Sequence, residues 1–178
     1  RERPYFTQDP AVRTGSADWR NFKGSGYDRG HLCPAGDRRF SEAAYNQTFY
    51  TSNISPQDTG FNAGIWNELE QQVRRWARRY GRVYVITGGV LQEGLRTIGR
   101  EGVAVPEAFY KVVIREQDQQ IRVLGFLISN RPSDLAPEAF VISLDELEAR
   151  TGLDFFPGLP EQEQESLEKE VHTRQWDF

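Results

Sequence analysis

At 178 residues, with 38% hydrophobic and 12% aromatic side chains, the chain has material for one globular domain with a substantial core and is short for two. A single cysteine, Cys33, rules out an internal disulfide and a multi-cysteine zinc centre, and no apolar run approaches the roughly 18 residues of a membrane span. The net charge of −4 speaks against a uniformly basic polyanion binder until it is resolved along the chain, because residues 1–82 hold 13 Lys/Arg against 9 Asp/Glu and the remainder 9 against 17.

Residues 1–27 mix Gly, Pro, Asp and Ser with the isolated aromatics Tyr5, Phe6, Trp19 and Phe22, and read as an irregular N-terminal arm laid over the domain. Phe49, Tyr50 and Thr51 suggest a short strand, and Ser52 to Gly60 is turn chemistry. From Asn62 to Tyr80 the apolar residues Ile65, Trp66, Leu69, Val73, Trp76 and Tyr80 recur at three- and four-residue intervals. That is the period of an amphipathic helix, closed by Gly81. Val83 to Ile86 predicts a strand ended by Gly88-Gly89. Phe109 to Arg115 and Ile121 to Ser129 predict two more, joined as a hairpin across the polar turn 116–120. Ser143 followed by Glu146 is a capping box for a helix to Arg150, with Gly152 at its end. Glu161, Glu163, Glu165, Glu168 and Glu170 open an acidic C-terminal tail, 161–178. The expectation is an α+β fold, a single domain over 1–178 with a mixed, mainly antiparallel sheet and helices on a face.

The chemistry concentrates in Asp28-Arg29-Gly30-His31 and in the segment from Phe61 to Glu70. His31 is one of two histidines; an imidazole titrating at about 6.5 can take a proton from water near neutral pH. A lone histidine is more often structural, but Gly30 permits close backbone approach and Arg29 offers a clamp for phosphate. Asn62 presents a neutral oxygen that Mg²⁺ accepts, although an Asn ahead of an apolar-periodic run is by default a helix N-cap. Eight residues of helix separate Asn62 from Glu70 by a rise of about 12 Å, so both cannot ligate one ion. Glu70 instead suits gripping ion-bound water. Arg74 could be a plain i, i+4 partner of Glu70; a role at an anionic substrate is the reading favoured here. Arg75, Arg78, Arg79 and Arg82 answer equally well to the helix dipole or to a nucleic-acid backbone. Only three of 22 basic residues are lysines, and compositional bias is the plainer account of that excess.

Three ordered blocks carry a resemblance: Tyr27-Asp28-Arg29-Gly30-His31-Leu32, Ser52-Asn53-Ile54-Ser55-Pro56-Gln57, and Phe61-Asn62 through Trp66 to Leu69-Glu70. Together they resemble the non-specific DNA/RNA endonuclease family with its ββα-metal site. The likeness extends through Ile86-Thr87-Gly88 and Pro106 to Lys111, and from Arg150-Thr151-Gly152-Leu153 to Gly158-Leu159-Pro160, nearly the whole chain. The resemblance implies a phosphodiesterase with His31 as general base, Asn62 as the single direct protein ligand of Mg²⁺ (Mn²⁺ able to substitute), and Asn53, Glu70 and Arg74 lining the site. Arg29 would assist at the phosphate, and Arg3 matches an N-terminal arginine brought to the scissile group. Asp28 would fix the loop or its water network, and Cys33 packs. Ala63-Gly64 departs from relatives that carry a polar residue there. The implied partners are DNA and RNA, single- or double-stranded. A homodimer and an inhibitor protein are left open, as are a catalytically silent nucleic-acid-binding module and a toxin or effector domain held by an inhibitor. No methionine is present, an initiator included, which reads as a processed or truncated chain; if a leader was removed, a secreted or periplasmic location is favoured.

Overall fold

A computed structural model describes residues 3–178; the first two residues of the expected arm lie outside the described residues. Its main sheet has four strands in the order β3 (Tyr84–Gly89), β6 (Ala108–Gln117), β7 (Gln120–Ser129) and β8 (Val141–Ile142), every neighbour antiparallel. The β6–β7 hairpin turns on Asp118 and Gln119, both at positive φ (52° and 61°), the two-residue turn whose twist matches that of antiparallel strands. A separate two-stranded sheet pairs β1 (Asp28–His31) with β2 (Ile54–Gln57), and a minor one pairs β4 (Thr97–Ile98) with β5 (Val103–Ala104). The mixed α+β architecture is the one expected.

Alternation along β6 divides the interior. Phe109 and Val113 face helix α3 (Asn67–Tyr80) and pack with Leu69, Val73 and Trp76, whereas Tyr110 and Val112 face helix α4 (Leu144–Thr151) and pack with Leu144 and Leu147. Trp66, Trp76, Phe109 and Phe126 are fully buried, each worth about 1.5–3 kcal/mol relative to exposure. Ser143 caps α4 through the Glu146 N–H, as its capping box predicts.

Two local expectations are corrected, the strand at Phe49 to Thr51 and the turn at Ser52 to Gly60. Ser52 to Gly60 contains strand β2, whose Pro56 lacks a ladder donor but sits in a two-stranded sheet opposite Arg29, while Thr51–Asn53 is a 3-10 turn and Tyr50 makes only a bridge to Thr7. The arm holds a 3-10 turn, Trp19–Phe22, capped by Asp18, and buries Phe6 and Phe22. The acidic segment forms helix α5 (Glu161–Lys169) and then returns to the core: Trp176 packs on Trp76 with ring centroids 4.8 Å apart. The Trp76 and Gln72 side chains both donate to the Asp177 carbonyl at 2.7 Å, so helix α3 holds this end in place.

Candidate active site

The β1–β2 hairpin leads directly into the helix. Asp58 is the N-cap: its carboxylate accepts from the Gly60 and Phe61 N–H groups at 2.8 and 3.0 Å. A single turn, α2 (Thr59–Phe61), follows, then a π-helical turn Asn62–Trp66 interrupted at Gly64, then α3. The default reading of Asn62 as an N-cap is thereby overturned, because its backbone N–H already bonds the Asp58 carbonyl at 2.8 Å and its side chain is free for another task. π turns of this kind recur at functional sites. Asn130, which sequence reasoning missed, ties the motif to the main sheet. Its carboxamide accepts from the Asp58 N–H at 2.8 Å and donates to the Pro56 and Pro106 carbonyls at 3.2 and 2.9 Å.

Alternation on β1 sends Asp28 and Gly30 to one face and Arg29 and His31 to the other. Asp28 accepts from the Thr59 hydroxyl and from Asn62 Nδ2, both at 2.9 Å. The second bond commits the amide nitrogen of Asn62 and leaves its oxygen without a partner among the described residues. Gly30 is required by contact: any Cβ there would overlap the fully buried Gln57 side chain. Asn62, Asp28, Arg29 and Arg3 line one cavity of about 600 Å³.

His31 stands in an aromatic enclosure, its ring 5.0 Å from Phe49 and 5.9 Å from Phe6. Its Nε2 is buried and meets no hydrogen-bond partner among the described residues. Burial, and then the nearby Arg3 charge, push the imidazole down to about 4. It is therefore neutral at pH 7. Arg3 and Arg29 rest on the same ring, with guanidinium carbons 5.4 and 4.8 Å from the Phe6 centroid.

Glu70 and Arg74 do not share that cavity. Arg74 pairs with Asp37 at 2.8 Å and, with Asn53, Asp37 and Lys111, borders a second cavity of about 600 Å³. Burial raises Glu70 to about 7, against the pull of Lys111 and Arg74. Asn53 spends its carboxamide on the backbone: it accepts from the Cys33 N–H at 2.9 Å and donates to the Cys33 and Thr48 carbonyls at 2.9 and 3.0 Å. It anchors the chain just beyond His31. The other histidine, His172, pairs with Glu170 at 2.9 Å in the C-terminal segment. The acidic group Asp145, Glu148 and Glu168 has oxygens within 4.8 Å of one another, but it belongs to α4 and α5, across the main sheet from α3.

A hairpin carrying an imidazole and an arginine, running into a helix whose first turns present an oriented carboxamide, defines a ββα arrangement, and the chain belongs to the DNA/RNA non-specific endonuclease family, whose model matches residues 1–162. It is 36% identical over 178 residues to the mitochondrial nuclease EXOG of Danio rerio (91% of this chain, 52% of that one). It is 37% identical over 171 residues to mitochondrial endonuclease G of Homo sapiens (86% and 57%). Among solved structures, the EndoG/EndoGI complex matches with a TM-score of 0.81 at 33% identity, covering 90% of this chain and 71% of that one. The chain spans about half the length of the curated relatives it matches. Both of these relatives are named as mitochondrial, so the expectation of a secreted or periplasmic location finds no support in them. Among the described residues no helix is long and apolar enough to cross a membrane.

Proposed function

We propose that the chain is a metal-dependent, sequence-non-specific endonuclease that hydrolyses phosphodiester bonds in DNA and RNA to 5′-phosphate and 3′-hydroxyl ends. The observation that carries this reading is the Asp28–Asn62 hydrogen bond, which leaves a carboxamide oxygen uncommitted in a cavity it shares with two arginines. A single neutral oxygen beside a carboxylate fits Mg²⁺, which takes oxygen ligands and retains several waters; Mn²⁺ would substitute. Bound through Asn62, the ion would supply stabilisation of charge on the phosphate oxygens.

The protein's own groups divide the remaining work. His31, neutral at physiological pH, takes a proton from water as the water oxygen bonds to phosphorus and the bond to the 3′ oxygen breaks. Arg29 and Arg3 hold the non-bridging oxygens, since guanidinium groups lying on aromatic faces keep their in-plane N–H donors for a ligand. Glu70 acts from α3 on the water around the site and Arg74 supports it, while Asn53 positions the loop after His31. The nucleophile is water, so a ribose 2′-hydroxyl is unnecessary and both nucleic acids serve. Contacts made mainly to phosphate carry little base information. A restraining protein partner is a second proposal, supported by the EndoG neighbour having been solved with EndoGI.

The test is digestion of single- and double-stranded DNA and RNA, with Mg²⁺ and with EDTA, by the parent and by His31→Ala. Mg²⁺-dependent cleavage of all four by the parent alone is expected. Parental rates in His31→Ala overturn the assignment, and a chain that binds but never cuts would be the silent module.

A further inference from the structure

We propose that Glu101, at the tip of the β4–β5 hairpin, is a positioning residue of the hydrolytic site: it locks the arm's 3-10 turn Trp19–Phe22 so that the Trp19 ring stays against the Arg29 guanidinium. The inference rests on the nuclease reading and extends it to a hairpin that contributes no residue to the lining of the cavity.

The turn and the residue after it bring Trp19, Phe22 and Lys23 into the lining of the cavity that holds Arg29 and Asn62. The Arg29 guanidinium carbon lies 4.8 Å from the Phe6 centroid and 5.7 Å from that of Trp19, so two rings from different parts of the arm fix its place. Trp19 also carries Arg20, at 5.2 Å, but that guanidinium is engaged by Asp18 at 2.8 Å, whereas Arg29 forms no ion pair among the described residues. A clamp with free donors is only as well placed as the rings it rests on.

The anchor of the turn comes from 80 or more residues away along the chain. Oε2 of Glu101 accepts from the Asp18 N–H at 2.7 Å and from Asn21 Nδ2, and the Glu101 N–H donates back to Asn21 Oδ1 at 3.0 Å. Asn21 is 7% exposed, and its Nδ2 also donates to the Asp18 carbonyl at 2.8 Å. Loss of the Glu101 carboxylate therefore leaves a buried amide hydrogen without its acceptor. The hairpin approaches closely to make these bonds: Gly99, at φ +69°, lies so near that a Cβ on it would fall 2.6 Å from Asn21 Cα. Apolar packing is a separate attachment. Phe22, Ile98 and Val105 share a buried cluster with Phe6 and Phe49, while Glu101 is exposed. Truncating Glu101 thus leaves the core intact and releases the end of the turn that carries Trp19.

The test compares Glu101→Ala and Glu101→Gln with the parent in kcat and KM for a short single-stranded DNA, in its Kd in EDTA, and in acrylamide quenching of tryptophan fluorescence. Trp66, Trp76 and Trp176 are buried, so the quenchable part of the signal belongs to Trp19 and is absent from Trp19→Phe. In Glu101→Ala the quenching of Trp19 should increase. KM and Kd should rise together by about tenfold, with kcat within about twofold of the parent, because the contact that loosens is one made to phosphate before and during reaction alike. Glu101→Gln keeps an oxygen for both donors and should stay near the parent, which a charge acting at a distance would not allow. On a Trp19→Ala background Glu101→Ala should add little. Asn21→Ala opens the same lock from the other side and should raise KM likewise, which covers failure of Glu101→Ala to fold. Parental quenching or parental KM in Glu101→Ala, an equal loss in Glu101→Gln, or a fully additive loss on Trp19→Ala overturns the proposal. Failure of the nuclease reading is distinguishable: the parent would then not cleave, or His31→Ala would cleave at the parental rate, whatever the quenching shows.

Discussion

Two cavities of about 600 Å³ border the β1–β2 hairpin, one at Asp28-Arg29 and the other at Leu32 and Asn53, and their charges are arranged in opposite ways. In the first, Arg3 and Arg29 lie on Phe6 and form no ion pair among the described residues; His31 is not among the lining residues, and its neutral ring packs 5.9 Å from that of Phe6. In the second, Arg74 is paired with Asp37 and Lys111 is bonded to Thr87, while the buried Glu70 lies outside its lining but within the field of both cations. Cations resting on rings keep their donors for an incoming anion. Cations already paired shape the field in which another group ionises. Under the proposed function the first cavity receives the phosphate and the second holds its charges in pairs.

The largest expected effect separates the two cavities by rate. His31→Ala should lose about 10²–10⁴-fold or more in initial rate of plasmid cleavage, the range for a general base, with Mg²⁺ affinity retained. Next comes the carboxamide. Asn62→Ala should weaken the Mg²⁺ titration of activity, and Asp28→Asn should do so by about 10–100-fold through lost orientation of Asn62. A titration unchanged in both variants would remove Asn62 from the metal site.

Stability against pH sets His31 against Glu70. For His31 the folded value, about 4, lies below the unfolded one near 6.5. The unfolded chain therefore binds the extra proton in that window, and stability falls by about 3 kcal/mol as pH drops from 6.5 to 4. Glu70 works in the reverse sense. Its folded value, about 7, lies above the ordinary 4.5, so its contribution falls as pH rises between them. The parent should show a shallow urea-unfolding profile between pH 4.5 and 6.5. Glu70→Gln should expose the rise with pH, and His31→Ala the fall. Matching slopes in the two variants would show that the groups do not oppose each other. The smallest effect belongs to the second cavity's ion pair, whose side chains are 25% and 28% exposed; Asp37→Ala should cost about 0.5–1 kcal/mol in the same assay.

Legibility in the sequence varied with the origin of each signal. The α3 periodicity, the β6–β7 hairpin and the Ser143 cap are local patterns, and each forms where its residues predict. Strand β2 was hidden because Ser52 to Gly60 is rich in turn formers, and what makes Ile54–Gln57 a strand is pairing with β1 more than twenty residues away. The C-terminal segment read only as an acidic tail because its glutamates dominate the count. Its single Trp176, buried against Trp76, outweighs them.

For the proposed site, His31, Arg29, Arg3, Asn62, Glu70 and Arg74 were legible as candidates, by residue type at family spacing. Local order alone determined the α+β class, the long helix and the motif blocks, since periodicity and turn chemistry act over a few residues. Only the folded chain decided that Asp28 turns the Asn62 amide, that Glu70 and Arg74 lie outside the cavity lined by Asn62 and Arg29, and that the imidazole stays neutral. Orientation, burial and the sum of surrounding charges arise from contacts between distant segments, and no window of sequence contains them.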